Sequence, residues 1–377
     1  MNRKRLRLRV LRSLRAEGFR IENGRLIRPG TLEKSAVRAM HRPAVLHAIE
    51  KAESQLKPRE SDLLRDFASG SEVEPENVEP ELIEVIPRSR EELLFRYARL
   101  HWSVPISSGY GRRLRYLVRD QSNSKVIGLF GLADPVITLP GRDAWIGWSP
   151  EAKDRYLPHV MDAFVVGAVQ PYSQLLGGKL TAMLMASAEV RGTFARKYAG
   201  HVSTIRRREF DGRLAMITTT SALGRSSVYD RIRFEDRLIF QSVGFTEGWG
   251  EFHFSDGVYD DLAAYASRWC TPTYRHPRWG TRCFRNKREV VMKVLPKIGL
   301  SRESLNHGVQ REIFVVPLAK NSREFLRGNR TRLHWYDPPA AEIVTFFKRR
   351  WLIPRSQRES AWRSWTPESW RLWPAEN

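Results

Sequence analysis

The period of the hydrophobic positions changes several times along this chain. Leu6, Val10, Leu11 and Leu14 recur at helical spacing with arginines between them, which predicts an amphipathic helix with one apolar stripe and one cationic face. Phe19-Arg20-Ile21, Asn23-Gly24 and Arg25-Leu26-Ile27 predict a small hairpin, because Asn-Gly readily adopts the positive φ angles of a two-residue turn. Residues 31–68 return to a helical pattern, with Leu46, Ile49, Leu56, Leu63 and Leu64 as expected core positions. Between residues 72 and 84 the pattern breaks: six glutamates accompany Pro75 and Pro80 with no basic residue, the composition of a solvated linker or of an acidic arm that mimics DNA.

From about residue 90 the pattern becomes mixed. Arg113 to Arg119 alternates like a half-buried strand, and Val126 to Leu132 follows as a buried one across the polar turn 120–124. A third strand is expected at 163–169, with a helix over 175–185 behind a turn containing Gly177 and Gly178. Ala215 to Thr220 reads as a further strand, followed by a short helical stretch around Val228-Tyr229, and late strands are expected at 238–241 and 249–254. Five tryptophans (351, 362, 365, 370 and 373) then crowd the last 27 residues among arginines. Such a segment can stack bases and hold phosphates, or dock on the protein's own core or on a partner.

Charge sharpens this picture. Lys and Arg number 64 against 42 Asp and Glu, a net charge of +22, and a polyanion is the natural partner of such a surface. Nucleic acid is the expected one; a solvated Arg-rich surface is the plain alternative. No run approaches the 18 apolar residues of a membrane span, and no signal peptide is present. With only Cys270 and Cys283, no disulfide framework or four-thiolate zinc site can be built, and a reducing cytoplasm is the expected home. Cys270, His276 and Cys283 fit no standard zinc spacing, and two ordinary half-buried thiols are the plainer expectation.

Five stretches, in this order and spacing, resemble the DruA family of the Druantia anti-phage defence systems and its relatives in mobile elements. They are 109–118 (GYGRRLRYLV), 127–135 (IGLFGLADP), 142–148 (RDAWIGW), 160–180 with its VMDAFVVGAV and PYSQLLGGKL segments, and 219–231 (TTSALGRSSVYDR). With His307-Gly308-Val309-Gln310-Arg311-Glu312 they cover roughly residues 90–320. The resemblance implies a part in defence against phage, or an accessory role in a mobile element, beside a helicase-like partner.

Within that region, Gln174-Leu175-Leu176-Gly177-Gly178-Lys179-Leu180 opens a helix after a strand, where backbone N–H groups can approach an anion. The segment is similar to the pyrophosphate loop of GCN5-related N-acyltransferases. This implies acyl-coenzyme A held by Gln174, Gly177, Gly178 and Lys179, although Lys179 stands where that family has a small residue. The same resemblance implies a tyrosine after a later strand that protonates the departing thiolate, and Tyr229 occupies that place. A packed tyrosine with its hydroxyl satisfied is the alternative. No P-loop is present, and the histidines lack the spacing of a deaminase zinc centre. Asp134, Asp143 and Asp162 converge on a metal only if the fold brings them together; Asp134 before Pro135 also reads as a turn former.

The expected fold is therefore α+β, with a mixed-sheet core resembling the GCN5-related acyltransferase fold. Its expected parts are a basic helical region (1–70), an acidic linker (71–87), the core (88–330) and a Trp/Arg-rich tail (331–377). The expected nucleic-acid contacts are Arg3, Arg5, Arg7, Arg9, Arg12, Arg112, Arg113, Trp362, Trp365 and Trp370, with DNA favoured over RNA and no resident metal.

Overall fold

The N-terminal periodicity forms a helix because Leu6, Val10 and Leu14 bury one stripe and Asn2 caps the first turn by accepting from the Arg5 amide. This is α1 (Arg3–Ala16). It is followed by the paired strands β1 (Arg20–Glu22) and β2 (Arg25–Ile27), in register Ile21 to Leu26. The structure is a computed structural model that describes residues 2–22, 25–27, 33–106, 111–203, 207–226, 228–250, 254, 257–273 and 284–374. The Asn23-Gly24 turn, His276 and Cys283 lie outside them.

Next come α2 (Lys34–Leu56), α3 (Glu60–Leu64), β3 (Pro80–Glu84), α4 (Arg90–Ala98), β4 (Arg113–Asp120) and β5 (Lys125–Ala133). They are followed by α5 (Pro140–Ile146), α6 (Pro150–Tyr156), β6 (Val160–Ala168), α7 (Gly177–Leu184), α8 (Ala188–Tyr198) and β7 (Met216–Thr220). The short strands β8 (Arg233–Phe234) and β9 (Arg237–Leu238) precede β10 (Gln241–Phe245), α9 (Val258–Trp269), α10 (Lys287–Lys297), β11 (Glu312–Pro317) and α11 (Ser322–Leu326). Last, α12 (Ala340–Phe347) runs through a π-helical stretch, Lys348–Leu352, into α13 (Ile353–Arg358), and two 3-10 turns end a C-terminal strap.

Seven strands form one mixed sheet in the order β10-β11-β7-β6-β5-β4-β3. All pairs are antiparallel except the central β6 and β7, which run parallel from Val160–Met216 to Ala163–Thr219. Alternation places Leu114, Tyr116 and Val118 of β4 on the face shared with Leu180, Met183 and Phe194, whereas Leu117 faces Leu94 and Phe95 of α4. Both faces are covered, which explains the near-continuous apolar runs of β5 and β11. The architecture is α+β, as expected.

A separate helical core joins the N-terminal helices to α9 and α10. Leu6, Val10 and Leu14 of α1 and Val37 and Met40 of α2 pack with Leu262 of α9 and Val290 and Val294 of α10. Arg7 donates to the Ile298 carbonyl at 3.1 Å and to that of Gly299, at the C-terminal end of α10 where the helix dipole favours a cation.

Three local expectations are corrected. The acidic stretch contains the edge strand β3, whose register aligns Leu82 with Val118 and whose Glu84 pairs with Arg196 and Lys197 at 3.3 and 3.2 Å; its charges are those of a solvated sheet edge. Leu46 is exposed, because α2 crosses from the helical core to the sheet core and position 46 points away from both Ala44 and Ala48. Val228-Tyr229 is a turn, since Ser226 Oγ accepts from both amides at 3.2 Å and the chain goes straight on to β8. Among the described residues no helix is long and apolar enough to cross a membrane.

Candidate functional site

The segment after β6 folds into the expected tight turn. The Gly177 amide donates to the Tyr172 carbonyl at 2.9 Å, and a Cβ on Gly177 would lie 2.9 Å from that oxygen and 3.0 Å from Ala168 Cβ. Gly178 has room for a side chain: its nearest neighbour would be the Ala168 nitrogen at 4.0 Å. The C-terminal strap closes over this turn. Lys179 Nζ sits 5.3 Å from the Trp351 ring centre, and burial lowers its pKa. Gln174 donates to Gln170 at 3.0 Å, while its own carbonyl accepts from Arg355 Nε at 3.1 Å.

Tyr229 belongs to the core on the same face of the sheet. Its ring stacks on Phe240 at 4.7 Å and meets Phe314 edge-on at 5.3 Å. Burial pushes its hydroxyl up to about 12, opposed by a hydrogen bond with Thr219 of β7.

The tryptophans of the strap dock on the protein itself. Trp362 is 0% exposed, and its indole N–H donates to the Glu359 carbonyl at 2.7 Å. Trp370 stacks on His101 at 4.1 Å and 10°, and Trp365 lies edge-on to it at 5.9 Å. Glu60 of α3 accepts from the Leu372 amide at 2.6 Å and from the Tyr97 hydroxyl at 2.9 Å, fixing the end of the strap.

The expected cationic contacts divide into two groups. Arg9 is paired with Asp261 of α9 at 2.5 Å, and Arg7 caps α10, so these two bind the helical lobe together. Arg3, Arg5, Arg12 and Arg15 of α1 face outward, with no carboxylate partner among the described residues. Arg112 has a partner for each face: Asp134 at 2.7 Å, the Pro158 carbonyl at 2.8 Å, and the rings of Phe194, Tyr198 and Phe210 within 5.6 Å. Arg113 is exposed at the start of β4.

Asp134, Asp143 and Asp162 are engaged separately, by Arg112, by Arg142 with Lys153, and by the Val136 amide with Thr218. Burial pushes Asp162 up to about 6. Among the described residues no group of three His, Cys, Asp or Glu side chains is placed to hold a metal ion.

Sequence reasoning did not single out one large concavity of the structure. A cleft of about 1740 Å³ opens beside the start of β6, lined by parts of residues 111–112, 134–137, 150–159, 198–213 and 325–331. His159 sits at its base, 6% exposed, with Phe210 and Phe325 each 5.0 Å away and Tyr156 at 5.8 Å. The family-like stretches 109–118 and 127–135 bring Gly111, Arg112, Asp134 and Pro135 to its wall, but the rest of the lining comes from strand ends and loops far apart in sequence and carries no motif. The nearest signal is the aromatic and charged run 206–213.

A family model described as Druantia protein DruA matches residues 31–328. The chain belongs to the DruA family. A DruA relative, the Druantia protein DruA of Escherichia coli (strain UMEA 4076-1), is 38% identical over 368 residues, covering 96% of this chain and 89% of its own length. No solved structure matches the chain. The DruA match spans the whole sheet and nearly all of the cleft, while α1 and the strap lie outside it.

Proposed function

We propose that this DruA-family chain is a component of anti-phage defence that holds nucleic acid, DNA in preference to RNA, and works with other proteins of its system, a helicase-like one among them. The outward face of α1 carries this reading. Its apolar stripe is used up by the helical core, yet Arg3, Arg5, Arg12 and Arg15 project without carboxylate partners. The described parts of that lobe (2–22, 33–47, 257–273 and 284–309) contain eighteen Lys and Arg against seven Asp and Glu. Such an excess of arginines suits phosphate contact, where released counterions give affinity a steep salt dependence.

Fluorescence anisotropy with a DNA duplex across a salt series tests it. If the four arginines each meet a phosphate, replacing all four with Ala flattens the log–log salt slope by roughly 3 to 4, at about 0.9 per contact. Equal slope and affinity would remove α1 from the interface.

A second reading is an acyltransferase-like enzyme that modifies DNA or protein. It is supported by the sheet, which has a single parallel pair at its centre and a turn leading from β6 into α7. If acyl-coenzyme A binds there, Gln174, Gly178 and Lys179 face its phosphates, and Tyr229 supplies the proton that the leaving thiolate takes up. Titration of the full chain with acetyl-coenzyme A tests binding, and Gly178→Glu, at the glycine with space for a side chain, abolishes it. Under this reading Tyr229→Phe loses phage protection at unchanged thermal stability; full protection in that variant rules out its proton transfer.

A further inference from the structure

The cleft at the start of β6 has no part in either reading above. Its volume of about 1740 Å³ exceeds the ~300–1,000 Å³ of small-molecule pockets and gives room for a segment of a polymer. At its base the His159 Nδ1–H donates to the Arg213 carbonyl at 2.8 Å, which fixes the tautomer. Burial lowers the pKa of the ring and Asp211, 3.5 Å from Nδ1, acts in the opposite sense. The neutral ring then leaves Nε2 as the acceptor atom, and the one hydrogen bond the ring makes among the described residues is through Nδ1. Half-buried Tyr156 and Phe210 flank it with flat apolar surfaces.

The cations stand nearer the mouth. Arg155 is exposed, has no carboxylate partner among the described residues, and lies 5.6 Å from the Tyr156 ring centre. Arg208 is oriented by Asp154 at 3.1 Å while its side chain stays 59% exposed. An acceptor between flat rings, with guanidinium groups outside, matches an unpaired nucleobase and its flanking phosphates. The base stacks, an exocyclic amine or ring N–H donates to Nε2, and the arginines meet the backbone. An extended peptide fits less well. The cleft lies at strand ends, whereas the ladder edges of the sheet are β3 and β10, so a peptide here would find no backbone partners.

We infer that this cleft receives unpaired bases of nucleic acid, with His159 as the acceptor for a base edge and Arg155 as the leading phosphate contact. The inference rests on the nucleic-acid reading and adds a second site, specific for unpaired bases. The bases can come from a single strand or be extruded from a duplex.

The test uses the full chain, a 2-aminopurine-labelled single strand and a duplex with 2-aminopurine at a mismatch. Arg155→Glu, at an exposed position, and His159→Phe, which keeps an aromatic ring, each weaken single-strand binding about tenfold. Affinity for a fully paired duplex stays at the wild-type value. If 2-aminopurine in the mismatched duplex brightens with wild type and not with His159→Phe, the base is extruded; if only the single strand responds, the site serves single strands. Wild-type affinity of both variants for single strands overturns the cleft site and leaves α1 as the interface. Failure of the wild-type protein to bind any of these DNAs overturns the nucleic-acid reading itself, and the cleft site with it.

Discussion

Replacing Trp362 with Ala decides whether the tryptophan-rich strap is structural or recognises bases. The ring is fully buried in the main core, its N–H is bonded to Glu359, and Arg363 lies 4.5 Å from its centre. A Cβ on Gly70 would collide with the Trp362 carbonyl, and the Gly70 amide donates to the Trp365 carbonyl at 2.8 Å, so the backbone around the ring is held from below as well. A buried tryptophan hides roughly 150–250 Å², worth ~4–6 kcal/mol at 25 cal/mol/Å², and Trp→Ala substitutions cost ~3–5 kcal/mol. Against a total stability of ~5–15 kcal/mol, that is about a fifth of the whole or more. Urea unfolding followed by circular dichroism reads the loss, with anisotropy on a single-stranded oligonucleotide in parallel. Trp269→Ala, at a 53% exposed indole, stays within about 0.5 kcal/mol of wild type. A Trp362→Ala protein with the wild-type urea midpoint and weakened oligonucleotide binding would refute the structural role.

Three further outcomes follow from buried polar groups. The Asp162 pKa is raised above its unfolded value to about 6, so its favourable contribution is complete below about 3.8 and is lost as pH rises through 6. Asp162→Asn therefore stabilises the protein at pH 8 by up to about 3 kcal/mol and leaves it unchanged near pH 3.5; equal gains at both would show that charge is not the cause. His41 has the opposite sign: burial first and Arg311 second push it down to about 3, so its contribution is present above pH 6.5 and is lost as pH falls toward 3. Urea midpoints of His41→Gln then decline less steeply than wild type over that window, and parallel curves would exclude His41 as the acid-sensitive group. Glu60→Ala removes the acceptor of the Leu372 amide and Tyr97 hydroxyl, costs about 1–3 kcal/mol and speeds hydrogen exchange at residues 371–373; unchanged protection there would mean that the strap end is held by its rings alone.

What could be read from the sequence was local. The β4–β5 hairpin was legible because alternation and a polar turn occur together within twenty residues, and α1 because Leu6, Val10 and Leu14 fall on one stripe. The packing of α1 on α10 was not, since Arg7 meets Ile298 across 291 positions and no local pattern encodes such a partner. β3 was hidden because an edge strand can be acidic where a carboxylate such as Glu84 meets Arg196 and Lys197 of a neighbouring helix. Both outcomes open to the tryptophans rest on the same composition, and only burial separates docking from stacking. Of the candidate site residues, Gly177 and Gly178 could be placed at the start of a helix, and Tyr229 after β7. The cleft around His159 could not be anticipated, because a concavity made of strand ends leaves no periodicity.

The two ends of β6 make different demands on a ligand. At its C-terminal end, Trp351 covers Lys179 and Arg355 holds the Gln174 carbonyl, so a phosphate-bearing ligand that engages Lys179 or Gln174 competes with a strap anchored further on by Trp362 and Glu60. At the N-terminal end, roughly 30 Å away along nine residues of extended chain, the cleft is already open. A ligand entering there displaces only water and the partial pairing of surface arginines. Coenzyme binding therefore carries a conformational cost that lowers its apparent affinity by the fraction of molecules with the strap released. Polymer binding at the exposed arginines of α1 and at the open cleft requires no such release of the strap, and on that asymmetry the binding reading stands ahead of the transferase one.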